Sequence, residues 1–165
     1  MTDDAQSNAD WQEVLKWAET CGIENMRGKH ATAHHLIEQA NTTLAILLAG
    51  LGGSLAYATK LLDAGPQPIA FGAAWLCAYL AVLAALLVHK CLRVAPIPPI
   101  FNEPLHLAQP NFSLAELRRV ELKGLQSRIQ RAANRNDEIA RWLNNVRTLS
   151  VFAPLAFVAA IASRT

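Results

Sequence analysis

The sequence predicts an all-α membrane protein: a transmembrane helical hairpin, a cytoplasmic helical bundle and a third C-terminal span, assembled as a homo-oligomer. Three observations predict it. Uncharged apolar stretches run over residues 42–59 and 69–88, and a third over 148–163. A spanning helix needs roughly 20 apolar residues to cross hydrocarbon about 30 Å thick. The remaining segments, 1–41 and 94–147, are each too short to bury a generous core alone, which disfavours a catalytic domain and favours helices packing on neighbouring chains. The second of these carries a coiled-coil repeat that runs without a breaker toward the third apolar stretch.

The N-terminal part, 1–41, reads as cytoplasmic helices. It has no positive charge before Lys16 and no apolar run before residue 42, so it is not expected to be a signal peptide. Asp10 and Glu13 have capping-box spacing, Trp11, Val14, Leu15 and Ala18 share a face, and Gly22 reads as a stop, so a short amphipathic helix is expected over 10–21. Its acidic charges (Asp10, Glu13, Glu19) favour packing on protein over anionic lipid. A second helix is expected over 25–62, rising into the first span.

Residues 42–93 form the transmembrane hairpin. In the first span Ala45, Ala49 and Gly53 repeat every four residues, as do Gly50, Ser54 and Ala58. Such rows let backbones approach closely in lipid. Two readings stand: packing within the hairpin, or self-association through a second small face. Lys and Arg resist translocation. The connection 60–68 carries only Lys60 and Asp63, whereas the segment after span two carries Lys90, Arg93, Arg118, Arg119, Lys123, Arg128, Arg131, Arg135, Arg141 and Arg147. The N-terminus and the basic segment are therefore expected inside, with loop 60–68 and Arg164–Thr165 outside, in a bacterial inner membrane.

Pro96, Pro98, Pro99, Pro104 and Pro110 make 94–112 an extended linker. Ser113 and Glu116 form a capping box that starts the basic helix 113–147. Its apolar positions, Leu122, Leu125, Ile129, Ala132, Asn136, Ile139, Leu143 and Val146, step by three and four, the spacing of a coiled-coil seam. Leu125, Ile129 and Leu143 are expected at an oligomer interface, with Asn136 fixing register and subunit number. The final segment, 148–165, is the third span, continuous with this helix save for Pro154. Only 16 residues separate Arg147 from Arg164, about 24 Å of helix, so thinning, snorkelling or oligomer packing must close the gap.

Arg128, Arg131 and Arg135 lie at i, i+3, i+7, beside the seam. One reading is a solvated flank with scattered ion pairs. The other is an anion site, in which guanidinium groups from several copies clasp phosphates and Trp142 stacks a base. Trp142 alternatively anchors the helix one turn below the membrane. His30, His34 and Glu38 repeat every four residues, but no HExxH is present, and a plain polar face is the simpler reading. Cys21, Cys77 and Cys91 are scattered and show no disulfide framework. No cofactor loop, metal site or nucleophile constellation is readable, so neither an enzyme nor a cofactor is expected.

Two stretches carry a resemblance. Gln39-Ala40-Asn41-Thr42-Thr43 runs into LAILLAGLGG, and Asn136-Asp137-Glu138-Ile139-Ala140-Arg141 runs into WLNNVRTL. Together with the layout, they resemble the small membrane effectors of prokaryotic anti-phage nucleotide signalling, the Pycsar-type transmembrane effectors and the related Hailong effector channels. The likeness covers residues 36–162. Thr43 stands where the family carries Lys, and 94–112 lacks its Phe-Gly element. The resemblance implies an oligomer, a tetramer being one candidate size, that disrupts the inner membrane. It also implies control by a nucleotide or short oligonucleotide made by a partner nucleotidyltransferase or cyclase. The reading from a different class is a non-conducting scaffold that recruits a cytoplasmic partner through 10–21 and 113–147.

Overall fold

The computed structural model describes residues 2–63, 68–93, 96–103 and 110–163. Regular structure among them is helical throughout: α1 (Thr2–Asp63), α2 (Pro68–Cys91), α3 (Leu114–Val151) and α4 (Ala153–Ala162). The tip of the expected outer loop at 64–67, linker residues 94–95 and 104–109, and Arg164–Thr165 lie outside the described residues. α1 and α2 are each long and apolar enough to cross a membrane, and α3 with α4 makes a third crossing if the bent pair counts as one span.

Two expectations about helix boundaries are corrected. The helices expected over 10–21 and 25–62 are one helix, and Gly22 does not stop it. A glycine inside a helix costs about 1 kcal/mol relative to alanine. Here it makes room for α3, because a Cβ at Gly22 would lie 2.6 Å from Leu125 Cδ2. Conversely, the helix expected to run unbroken into the third span divides at Phe152 with a 45° bend. Pro154 has no N–H for the Ser150 carbonyl, and its ring collides with that carbonyl. The chain tightens instead: Phe152 N donates to Leu149 O at 3.0 Å, and Ala156 N to Phe152 O at 3.0 Å. The Tyr79 hydroxyl of α2 also donates to Leu149 O, at 2.8 Å.

The described chain divides into two compact units, Met1–His34 with Ala95–Asp137 and His35–Val94 with Glu138–Thr165. In the first unit Met26, Leu125, Ile129 and Ala132 form a buried core, with Ile23 and Ile100 packed on it. Gln12 meets Arg118, Gly22 meets Leu125 and Lys29 meets Asn136, so α1 and α3 run parallel there. The capping box stands as the spacing predicts. Ser113 donates to Glu116 Oε2 through its N–H (2.9 Å) and its hydroxyl (2.7 Å), and Glu116 N donates back to Ser113 Oγ at 3.4 Å.

In the second unit the core joins Ala40 and Leu47 of α1, Leu80, Leu83, Ala84, Leu87 and Cys91 of α2, and Ile139, Leu143 and Val146 of α3. Small residues set the spacing. A Cβ at Gly50 would lie 3.2 Å from Leu80 Cδ1, and one at Gly72 would lie 2.7 Å from Ile161 Cγ1 of α4. Hydroxyls within the apolar part of α1 bond back to their own helix, Ser54 to Leu51 O (2.9 Å) and Thr59 to Ala56 O (3.0 Å). These two hydroxyls are thereby satisfied within the helix.

Candidate functional site

The seam of α3 is filled by its own chain. Leu125, Ile129, Ala132, Asn136, Ile139, Leu143 and Val146 are all buried, the first four in the first unit and the others in the second. The Asn136 amide donates to Lys29 O at 2.9 Å. The expectation that this seam, with Leu125, Ile129, Leu143 and Asn136, faces neighbouring chains therefore gives way to an intrachain pairing. Its partner is a second repeat on α1, where Gly22, Met26, Lys29, Ala33, Leu36, Ala40, Thr43 and Leu47 also alternate by four and three. Small and polar residues at five of those eight positions mask the repeat.

The arginine row does not stay together as one exposed stripe. Arg128 is 7% exposed. Its guanidinium pairs with Glu121 and also donates to Ile100 O at 3.4 Å, while its Nε has no partner. Apolar neighbours at Leu125 and Ile129 make this a buried pair, costly to break from one side. Arg131 is exposed and Arg135 half-buried. The Pro-rich segment is held to this unit from two sides, since His30 Nε2 lies 3.1 Å from Pro98 O and Arg128 reaches Ile100 O. His30, the first of the His30/His34/Glu38 row, is thus engaged with the linker backbone. No group of three metal-type ligands occurs among the described residues.

At the start of α3, Arg118 reaches Gln12 at 3.3 Å and Glu19 at 4.0 Å, and Arg119 lies 5.9 Å from the Trp11 ring centre. Trp11 and Val14 remain largely exposed, and the buried face of this stretch centres on Leu15. A groove of about 290 Å3 opens beside these residues, walled by Phe101, Leu114, Leu117 and Leu122 and edged by Glu19, Arg118 and Glu121. The Ser113 hydroxyl and N–H, with Arg119 nearby, hold the Glu116 carboxyl below the usual carboxylate range.

Trp142 belongs to the second unit, where Lys90 Nζ lies 5.1 Å from its ring centre. Arg147 is fixed in the same unit, its Nε donating to Thr43 Oγ1 (3.1 Å) and its terminal nitrogens to Gln39 Oε1 (3.1 Å) and Gln39 O (3.5 Å). Thr43 thus serves as an acceptor for Arg147.

The two small rows of α1 have different fates. Ser54 and Ala58 are buried, and Gly50 abuts Leu80. Ala45, Ala49 and Gly53 are exposed, and nothing lies within 4 Å of a Cβ placed at Gly53. Fold and site together define an all-helical protein with two, or up to three, helices able to cross a membrane. Comparisons with family models, with curated proteins and with solved structures return no match to this chain.

Proposed function

We propose that this chain is a homo-oligomeric membrane effector whose spans form an ion-conducting pore, gated by a nucleotide or short oligonucleotide bound at its basic unit. The observation that carries this reading is the division of labour on α1. One small-residue row packs within the chain, while the row Ala45, Ala49, Gly53 remains open on an apolar span. In lipid, where apolar burial gives no driving force between helices, such a face favours close association with a second copy. Within the expected arginine row Arg131 is the exposed member, whereas Arg128 is held by Glu121. The setting, antiviral defence with a ligand made by a partner nucleotidyltransferase or cyclase, rests on the family resemblance alone. No catalytic role is part of this proposal.

That the N-terminal and basic segments share one side of the membrane is supported by the first unit, in which they pack together and so need an even number of crossings between them, which α1 and α2 can supply. That this side is the inside of a bacterial inner membrane rests on the charge asymmetry between loop 60–68 and the segment after span two. Cysteine at Gln67 is expected to label from outside intact cells and cysteine at Gln126 is not, in a background lacking Cys21, Cys77 and Cys91. The reverse pattern inverts the topology.

Ion flux from vesicles holding the full chain, titrated with cyclic nucleotides and short oligonucleotides at two salt concentrations, tests the function. Flux is expected to change with ligand, and Arg131→Ala with Arg135→Ala to uncouple it without loss of insertion. A silent parent, or a double variant that responds like the parent, sinks the gated-pore reading. The groove edged by Arg118 and walled by exposed Leu114 and Phe101 favours the second reading, a non-conducting scaffold that docks a partner helix.

A further inference from the structure

We infer that the corner formed by the end of α2 and the middle of α3 is a binding site for anionic phospholipid headgroups, built from Lys90, Arg93, Arg141 and Trp142. The inference rests on α2 crossing a bilayer and not on conduction.

The corner is rigid. Leu87 and Cys91 at the end of α2 are buried against Ile139 and Leu143 of α3, and Cys91 Sγ lies 3.8 Å from Ile139 O. Lys90 and Trp142 project from this contact on neighbouring helices and meet, with Nζ 5.1 Å from the ring centre. A tryptophan placed where an apolar helix ends lies at headgroup depth, apolar in body and polar at one edge. An ammonium group held over its face loses part of its freedom and keeps its hydrogen-bond donors.

The charge there is unbalanced. Lys90, Arg93 and Arg141 are exposed, and among the described residues no carboxylate comes within ion-pair range of any of the three. Glu138, one turn before Trp142, makes no ion pair with them. Arg147, the remaining cation of this part of α3, differs, being held by Gln39 and Thr43. The surplus thus sits where the apolar part of α2 ends, at the depth of lipid phosphates. Cations beside an anionic leaflet attract it within a Debye length. A simple helix-dipole role accounts for Lys90 in the last turn of α2 but not for Arg141, which lies mid-helix on α3.

The test uses the full chain reconstituted in phosphatidylcholine vesicles doped with spin-labelled phosphatidylglycerol or spin-labelled phosphatidylcholine. Electron spin resonance gives the fraction of each probe immobilised at the protein. The parent is expected to prefer phosphatidylglycerol by about threefold or more at low salt, falling toward parity at about 0.5 M salt. Lys90→Gln with Arg93→Gln and Arg141→Gln is expected to abolish the preference, whereas Lys16→Gln with Arg119→Gln and Lys123→Gln, an equal loss of charge, is expected to keep it. Should the first triple variant fail to insert, Arg141→Gln alone is expected to lower the preference at least twofold. No preference in the parent, a preference retained by the first triple variant or by Arg141→Gln alone, or equal loss in both triple variants overturns the proposal.

Discussion

In the unit of Met1–His34 and Ala95–Asp137, α1 and α3 are tied by polar groups: Arg118 to Gln12 and Glu19, and Asn136 to the Lys29 carbonyl, with the buried Arg128–Glu121 pair beside them. In the unit of His35–Val94 and Glu138–Thr165, size and shape take over, with Gly50 against Leu80, Gly72 against Ile161 and a core of leucine and alanine. The α1–α2 and α2–α4 contacts of the second unit thus differ in kind from the α1–α3 contact of the first, and α1 and α3 keep a polar tie in the second unit where Arg147 meets Gln39 and Thr43. Polar contacts specify register where the hydrophobic effect already drives association. Where lipid removes that drive, close backbone approach and dispersion remain.

The comparison breaks most sharply at Arg128. Arg128→Ala leaves Glu121 largely buried without its partner and is expected to cost about 3 kcal/mol. The check is urea unfolding in detergent followed by circular dichroism. Pairing Arg128→Met with Glu121→Leu should recover most of the loss, because a matched apolar pair removes both desolvation costs. A single variant as stable as the parent would show that the pair is solvated.

The glycines sharpen the comparison next. Gly72→Leu places its Cβ 2.7 Å from Ile161 Cγ1 and 3.1 Å from Phe157 Cε2, and is expected to cost about 1–3 kcal/mol by overpacking. Gly22→Ala puts its Cβ 2.6 Å from Cδ2 of the buried Leu125, which must shift, but the about 1 kcal/mol of helix propensity gained offsets that cost, so its net effect should be smaller than that of Gly72→Leu. Equal costs in the same unfolding assay would erase the distinction between the two interfaces.

A smaller effect is expected at Asn136. Asn136→Leu loses the bond to Lys29 O, about 1 kcal/mol, partly offset by the apolar burial gained. Because the amide bonds its own chain, particle mass by light scattering should not change. A changed mass would return Asn136 to an interchain seam.

The smallest effect is at the capping box. The Glu116 carboxyl titrates below the ordinary carboxylate range, so the folded state favours its ionised form. That contribution is full above the ordinary carboxylate pKa and is lost as pH falls through the depressed value. Glu116→Gln should flatten this part of the stability–pH curve in urea unfolding, with a small loss relative to the parent at neutral pH that vanishes in acid.

Much of the helical layout was legible in the sequence, since apolar length and the 3,4 repeat report the bilayer and the seam directly. The capping box at Ser113 was legible for the same reason: its spacing is local. The occupant of the seam was not. A repeat names a face without naming the helix that covers it, and the matching repeat on α1 is written in Gly22, Lys29, Ala33 and Thr43, which hydropathy does not mark. Gly22 read as a stop because propensity is local, whereas the Leu125 contact that retains it is distant in sequence. The arginine row was legible as spacing only. Whether Arg128 faces water depends on Glu121 and on the Pro98–Ile100 segment folding over it. Pro154 was visible, but how far it bends the helix depends on how the freed carbonyls are satisfied, here with help from Tyr79.

The measurement that bears most directly on assembly through the open face of α1 is cysteine cross-linking in native membranes. Single cysteines at Ala49 and Gly53, in a chain lacking Cys21, Cys77 and Cys91, are expected to form intermolecular disulfides on mild oxidation. Cysteines at Ser54 and Ala58, which are buried within the chain, are not. Cross-linking at Ser54 and Ala58 with none at Ala49 and Gly53, or none at any of the four, would contradict the account.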